Sequence, residues 1–337
     1  MEHPYAVSVT RLGGPEVLEA GPITMPQAGP GQLLVAHTAI GVNFVDIYLR
    51  SGQPHSHNPV PPFIPGVNAV GRVLEVGADV QGFLPGNRVA YTNAGVGTYC
   101  THAAVSAERA VKVPDNLSDE RVAAGMVRIL TAQYLLKQMR PLKAGDRVLV
   151  HAAAGGVGQV LVQWAKRLGL YVIATAGTDS KVALARELGA DFAINYRTQD
   201  FVREVNDHTQ GAGVAVVFDS VGRDTFMGSL ACLASRGLVV NFGTASGQVE
   251  GFALQELHAK SLSVCRPTLR TYIASRTDLL AMCDESFALL ADPTLRLDIA
   301  ARMPLTAAAE AHRMLESRET QGSIVLYPSL EGGNQDK

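Results

Sequence analysis

The 337-residue sequence predicts an α/β protein: a doubly wound parallel sheet joined to a β-rich, barrel-like domain. Three observations carry this prediction. The length exceeds one ordinary core and suggests two domains of roughly 150 residues each. From about residue 147 to 266, short β-rich runs alternate with amphipathic helical stretches, the pattern of a parallel sheet covered on both faces. Residues 1 to about 126 are instead rich in Gly, Pro and short β-like runs, which fits an antiparallel or barrel-like arrangement.

The central strands are predicted at 147–151, 171–176, 193–196, 214–220, 238–242 and 262–266, enough for a doubly wound sheet. A helix over 156–168 puts Val157, Val160, Leu161, Trp164 and Leu168 near one face and stops at Gly169. The stretch 180–188 repeats that pattern, with Val182, Ala185 and Leu188 inward and Gly189 as the stop. Before them, β-like runs fall at 33–39, 70–76 and 88–91. After Pro267 come two helices, 279–290 and 307–316, and a last strand, 324–327; residues 331–337 read as a frayed terminus.

Composition narrows the function classes. Hydrophobic residues at 47% and charged residues at 18% suit a globular chain and not a disordered one. With 29 basic and 31 acidic residues, a net charge of -2 leaves no electrostatic footprint for nucleic acid or an anionic membrane, so small-molecule chemistry is favoured. The N-terminus has no basic segment followed by an apolar core, and Gln163, Lys166 and Arg167 interrupt the longest apolar stretches. Neither a signal peptide nor a membrane span is expected, and the cytoplasm is the default location. Cys100, Cys232, Cys265 and Cys283 form no C-x-x-C pair, which argues against a disulfide framework and a structural zinc site.

The strongest local signal is RVLVHAAAGGVG, residues 147–158: a buried strand, then a glycine-rich turn opening onto a helix. The spacing is A-x-x-G-x-x-G on Ala152, Gly155 and Gly158. Small residues there let the backbone of Ala154, Gly155, Gly156, Val157 and Gly158 approach a diphosphate, to which the helix presents free N–H groups and its positive end. Gly158 also permits close packing of helix on strand. A tight βα turn with no ligand is the alternative, and the flanking strand and helix weigh against it.

An NAD site would place a carboxylate at the end of the second strand, to meet the ribose hydroxyls. Here that stretch reads Thr175-Ala176-Gly177-Thr178, with Lys181 following as a partner for a 2′-phosphate. NADPH is therefore preferred over NADH. Two other readings stay open: Lys181 as a solvated helix residue, and Asp179 as a ribose ligand instead of a helix cap.

With these pieces located, the chain resembles the quinone oxidoreductases, the zeta-crystallins among them, within the zinc-free medium-chain dehydrogenases/reductases. The similarity runs from Gly13 to Tyr327 through GGPEVL (13–18), AIGVNFVDIYLRSG (39–52), HAAAGGVGQ (151–159), FDSVGRDTF (218–226), FGTASG (242–247), RPTL (266–269) and ESRETQGS (316–323). It implies a GroES-like β-barrel domain at 1–126 completed by 269–337, a Rossmann dinucleotide-binding domain at 127–268, and a cleft where nicotinamide meets substrate. It also implies a homodimer made by pairing the sixth strands of the Rossmann sheet, which would cover an exposed edge.

Carried over by position, the resemblance puts Asn43 and Tyr48 beside the nicotinamide, with Asp46 and Arg50 near them and Thr131 opposite. It groups Lys181, Tyr196 and Arg318 around the 2′-phosphate, and Phe242, Ser246 and Arg266 along the rest of the cofactor. Zinc alcohol dehydrogenases share the architecture but carry a Cys where Asn43 stands and a His-Glu pair where this chain reads Gly66-Val67-Asn68. No metal is expected, and His55 and His57 read as solvated side chains. Two departures border the substrate region: Val67-Asn68 where relatives often have Thr-Glu, and Arg128-Ile129 where they have Lys-Gly.

The implied activity is NADPH-dependent, metal-free reduction of a quinone or other conjugated carbonyl by direct hydride (or electron) transfer, with Tyr48, Asn43 or water donating to the acceptor's oxygens. A reductase of enones or 2-alkenals is the nearest alternative. A second, non-enzymatic alternative is an NADPH-responsive RNA-binding or crystallin-like protein, which the near-neutral charge disfavours.

Overall fold

The computed structural model describes residues 3–53, 58–93, 95, 97–317 and 320–329. His55, His57, Arg318 and the 331–337 segment lie outside the described residues. In chain order, the first elements are β1 (Tyr5–Val9), β2 (Leu18–Pro22), β3 (Gln32–Val42), α1 (Phe44–Ser51), β4 (Asn68–Val76), β5 (Arg88–Thr92), β6 (His102–Ser106), β7 (Ala110–Lys112) and α2 (Asp119–Lys137). The central elements are β8 (Arg147–Val150), α3 (Gly156–Arg167), β9 (Tyr171–Ala176), α4 (Asp179–Glu187), β10 (Phe192–Asn195), α5 (Phe201–Thr209), β11 (Val214–Asp219), α6 (Phe226–Ala231), β12 (Leu233–Asn241) and β13 (Ser263–Cys265). The chain ends with α7 (Leu269–Tyr272), α8 (Arg276–Ala291), β14 (Ile299–Pro304), α9 (Ala308–Glu316) and β15 (Ser323–Tyr327). No described helix is long and apolar enough to cross a membrane.

Two compact units divide the chain. One comprises Met1–Val127, Ile273–Pro293 and Leu297–Lys337; the other comprises Arg128–Tyr272 and Thr294–Arg296. In the first unit, a seven-stranded sheet runs β14-β15-β3-β4-β5-β7, with β6 also paired to β3. β3 organises it: one edge pairs with β4, while the other serves β6 over its first half and β15 over Ile40–Val42. The last strand thus completes a sheet begun about 280 residues earlier in the chain. Beneath the sheet lie Leu33, Val35, Ile40, Val73, Val89, Tyr99, Ile324 and Leu326, all fully or nearly fully buried. The alternation of inward and outward residues along β3 is incomplete, because Ile40, Gly41 and Val42 are all covered.

The second unit is the doubly wound sheet, in the order β10-β9-β8-β11-β12-β13 with every pair parallel. Strand order reverses between β8 and β11, which creates the switch point where open parallel sheets hold ligands beyond their carboxyl ends. Val148, Leu149, Val150, Ile173, Val216, Val217 and Phe218 are buried on both faces of the sheet, as continuous apolar runs in parallel strands require. The six expected strands form, within a residue or two at most ends. The exception is β12, which starts five residues early because the chain is extended from Leu233 onward.

Five helices, α1, α2, α5, α6 and α7, are not placed by the sequence reading. α1 is a short helix between β-like runs, and α2 has weak amphipathicity because Val122, Ala124, Met126, Ile129, Leu130, Tyr134 and Leu135 bury nearly its whole circumference.

Close approach fixes α3 against the sheet. A Cβ on Gly158 would lie 2.8 Å from the Ala153 Cα and would overlap the Ala152 carbonyl oxygen. Gly158→Ala is expected to cost about 1–3 kcal/mol, read as a lowered urea midpoint with unchanged slope. A variant as stable as the parent would mean that the helix can slide away from β8.

Candidate active site

The cofactor-site residues expected from the sequence and described in the structure all follow carboxyl ends of strands in the parallel sheet. His151 and the loop follow β8, Gly177 follows β9, Tyr196 follows β10, Phe242 and Ser246 follow β12, and Arg266 follows β13. Lys181 sits one turn further on, in α4.

At the switch point the chain turns sharply. Ala152 takes a left-handed conformation, φ 50°, a backbone geometry that costs a residue with a Cβ roughly 1–2 kcal/mol. The Ala153 amide donates to the Thr175 carbonyl at 3.0 Å, and the Gly155 amide donates to the Ala152 carbonyl at 2.8 Å, which holds the bend. Gly155 then caps α3 in an extended conformation, and the first-turn amides that follow have no intrahelical acceptors. Gln159 is buried, and its Nε2 donates to the Ala154 carbonyl at 2.9 Å.

Below the loop is a polar cluster that sequence reasoning missed. The Thr175 hydroxyl donates to His151 Nδ1 at 2.8 Å, and His151 Nε2–H donates to Ser229 Oγ at 3.0 Å. Ser229 Oγ donates to Asp219, which also accepts the amides of Val221 and Gly222 and the Thr225 hydroxyl. Burial pulls the His151 pKa down, against the pull of Asp219. Serine, histidine and aspartate meet here, but all three are at most 1% exposed. The cluster ties the ends of β8, β9 and β11 to α6 and performs no nucleophilic chemistry. The one signal for it was the FDSVGRDTF segment.

At the end of β9, Gly177 packs under the Tyr196 ring: a Cβ there would stand 2.8 Å from the Tyr196 hydroxyl. Thr178 caps α4 by accepting the Lys181 amide at 3.3 Å. Asp179 accepts from Asn195 Nδ2 at 2.7 Å, so its carboxylate is engaged by the neighbouring strand end. Ser246 Oγ donates to the Val221 carbonyl at 2.8 Å and accepts the Asp224 amide at 3.0 Å. Arg266 donates to the Asn241 carbonyl and side chain at 3.1 and 2.6 Å. The glycines, the bare helix terminus and the absence of a carboxylate on Gly177 fit a dinucleotide with a phosphate beyond its ribose.

In the other unit, Asn43 caps α1 and Tyr48 stands one turn on, half-buried beside Phe44. Asp46 and Arg50, expected beside the reacting centre, are 0% and 1% exposed. They occupy a buried, directed chain of hydrogen bonds and cannot touch a substrate. Arg50 pairs with Glu316 and donates to His312 Nδ1 at 3.3 Å. His312 Nε2–H then meets the Tyr99 hydroxyl at 3.0 Å, and Tyr99 donates to Asp46 Oδ2 at 3.2 Å. Asp46 Oδ2 also accepts the Asn43 amide at 2.8 Å. The chain therefore fixes α1 from beneath, linking it to α9. Thr131, buried on α2, belongs to the other unit.

The comparisons with known proteins agree with this layout. Residues 29–115 match the alcohol dehydrogenase GroES-like domain and residues 156–285 match the zinc-binding dehydrogenase family. The chain is 44% identical to a quinone oxidoreductase of Pseudomonas aeruginosa, over 96% of this chain and 99% of that one. The chain belongs to the quinone oxidoreductase family. It is also 41% identical to a 2-haloacrylate reductase of a Burkholderia species, over 96% of this chain and 98% of the relative. The structure of Escherichia coli quinone oxidoreductase complexed with NADPH superposes with a TM-score of 0.92, at 42% identity and covering 96% and 100% of the two chains.

Asn43, just after β3, and Asn68, the first residue of β4, are joined through their side chains. Asn43 Nδ2 donates to Asn68 Oδ1 at 2.6 Å and to the Gly41 carbonyl at 3.1 Å. Asn68 Nδ2 in turn donates to the Ala123 carbonyl at 3.0 Å, which sets the orientation of both amides. A neutral amide pair occupies these positions, and among the described residues no group of three His, Cys, Asp or Glu is arranged to hold a metal. Both hydrogens of the Asn43 amide are consumed inside the protein. The expectation that Asn43 donates to a substrate oxygen is therefore corrected: its amide hydrogens serve the Asn68 side chain and the Gly41 carbonyl.

Burial pushes the Asp46 carboxyl up to about 7, against the opposing pull of the Asn43 amide and the Tyr99 hydroxyl. A carboxyl raised on folding contributes stability that is fully present below its unfolded value, roughly 4, and lost as pH climbs through 7. Asp46→Asn removes that loss. The variant's unfolding free energy is expected to gain on the parent's between pH 5 and pH 8, by on the order of 1 kcal/mol per unit below about 7. Parallel pH profiles would show that Asp46 stays ionised in the fold.

Proposed function

We propose that this chain is a metal-independent NADPH:quinone oxidoreductase. The observation that carries the proposal is the glycine-bent loop at the switch point of the parallel sheet, in a chain more than 40% identical to quinone oxidoreductases along nearly its whole length. When bound, NADPH supplies the hydride. The chain's own residues bind, orient and solvate. The amides of Gly156, Val157 and Gly158 hold the diphosphate, and Lys181 and Tyr196, with Arg318, take the 2′-phosphate. The glycine at 177, where an NAD site would carry a carboxylate, supports NADPH over NADH. Phe242, Ser246 and Arg266 line the path beyond β12 and β13, and Thr131 faces the nicotinamide.

On the acceptor side, Tyr48 donates its hydroxyl to an oxygen of the quinone, where negative charge gathers as the hydride arrives. Asn43 holds its place through Asn68, and Asp46 and Arg50 act by fixing α1. Reduction of a conjugated alkene is a second reading, favoured by the similarity to the 2-haloacrylate reductase. The same hydride chemistry serves there, with the proton added next to the activating carbonyl.

The assembly we propose is a homodimer formed across β13, the short edge strand of the parallel sheet, whose open backbone groups invite a second copy. Its four thiols are all free, as suits the reducing cytoplasm. Val264→Pro removes a ladder donor from the edge and is expected to give a monomer in sedimentation at micromolar concentration. A parent that sediments as a monomer would refute the dimer.

The activity is tested by following NADPH consumption with a benzoquinone, an enone and a 2-haloacrylate side by side. Rapid loss with the quinone is expected, along with weak use of NADH. Lys181→Ala should raise KM for NADPH while leaving NADH unaffected, and Tyr48→Phe should lower kcat roughly tenfold or more, the worth of a hydrogen bond to a charged group. Equal rates with NADH would overturn the role of Lys181. Full turnover in the Tyr48 variant would overturn that of Tyr48.

A further inference from the structure

Gln159, at the end of the first turn of α3, is 1% exposed. The two ends of its amide fare differently. Nε2 donates to the Ala154 carbonyl at 2.9 Å, while Oε1 is buried and meets no donor among the described residues. Turning the amide over would only set Oε1 against the carbonyl that Nε2 now serves. Gln163, one turn further along the same helix, is the contrast. Its Nε2 donates to the carbonyls of Gln159 and Arg296 at 3.1 and 2.9 Å, and its Oε1 accepts the Arg296 amide at 2.9 Å. Gln163 is used in full to pack the helix, whereas Gln159 strands a buried acceptor, which lowers stability.

The single bond that Gln159 does make falls at a decisive place. In an α-helix the amide of each residue donates to the carbonyl four residues back, and four residues before Gly158 stands Ala154. Gln159 Nε2 occupies that carbonyl. The Gly155 amide is drawn the other way, onto the Ala152 carbonyl at 2.8 Å, and the Gln159 amide closes on the Gly155 carbonyl at 2.9 Å. Gly155 stays extended, with ψ 173°. The helix therefore begins at Gly156 and no earlier. Between these tied groups lie the amides of Gly156, Val157 and Gly158, which the reading above gives to the diphosphate. Without the glutamine, Gly155 is free to wind into the helix, and the Gly158 amide then turns to Ala154.

We infer that Gln159 is a positioning residue for the dinucleotide: it holds the Ala154 carbonyl aside so that the Gly158 amide is kept for the diphosphate. The inference rests on the dinucleotide reading and deepens it. It also accounts for a buried amide with one end unused, since the side chain is fitted to the loop and not to the core.

The test is calorimetric titration of the parent and of Gln159→Met, which keeps the length and helix propensity of the side chain and removes the donor and the stranded acceptor together. Gln159→Leu serves the same end should the methionine variant fail to fold. Three probes separate the contributions: NADPH, ADP with a diphosphate and no 2′-phosphate, and 2′-AMP with the reverse. Without nucleotide the variant is expected to melt no lower than the parent. It should bind NADPH and ADP about tenfold or more weakly and 2′-AMP within twofold of the parent. With a benzoquinone, KM for NADPH should rise in step while kcat at saturating NADPH stays within twofold. The inference is overturned if the variant holds ADP as tightly as the parent does. It is equally overturned if both variants melt lower, or fail to fold, or lose 2′-AMP in step with ADP, since Gln159 would then be a support of the fold alone. A parent that binds neither NADPH nor ADP would instead bring down the dinucleotide reading itself.

Discussion

Contact of the α3 backbone with the turn after β8 is the constraint on which the nucleotide half of the molecule depends. Gly158 touches the Ala152–Ala153 backbone with no room for a methyl group, and Ala152 accepts a left-handed conformation to make the corner. Together they bring the open end of α3 to the carboxyl edge of the sheet, at the point where strand order reverses. Were the helix even an ångström further out, its first amides would no longer converge on one place. A small strain in one residue is thus offset by the packing of a whole helix.

Both units keep their working surfaces in place with buried polar chains that have a direction. In one, Thr175, His151, Ser229 and Asp219 lock three strand ends; in the other, Arg50, His312, Tyr99 and Asp46 lock α1. Each contains a histidine held neutral by burial, with His312 drawn down to about 3. Neutral imidazole donates from one ring nitrogen and accepts on the other, so it passes the polarity of a chain along without adding charge. Buried hydrogen bonds of this kind hold the elements they join in one arrangement.

The amide pair Asn43–Asn68 is a neutral unit paired within the protein. Asn43 donates to Asn68, and the Ala123 carbonyl at the far end decides which amide group points where. In the proposed reaction the hydride comes from the cofactor, and the protein's task is alignment and the exclusion of water.

Much of this was legible in the order of residues. The parallel strands, the glycine corner and the helix that follows announce themselves because their signals are local: apolar runs, small residues at fixed spacing, a glycine stop. Lys181, and Gly177 where a carboxylate would stand, were readable for the same reason. The tertiary structure alone decided that β15 closes the sheet begun by β3, that α2 is buried on every side and so hides its period, and that Asp46 and Arg50 point inward. It also joined Tyr99 to His312 across 213 residues. These are pairings between distant segments, set by how whole sheets and helices fill space. No short window of sequence contains both partners.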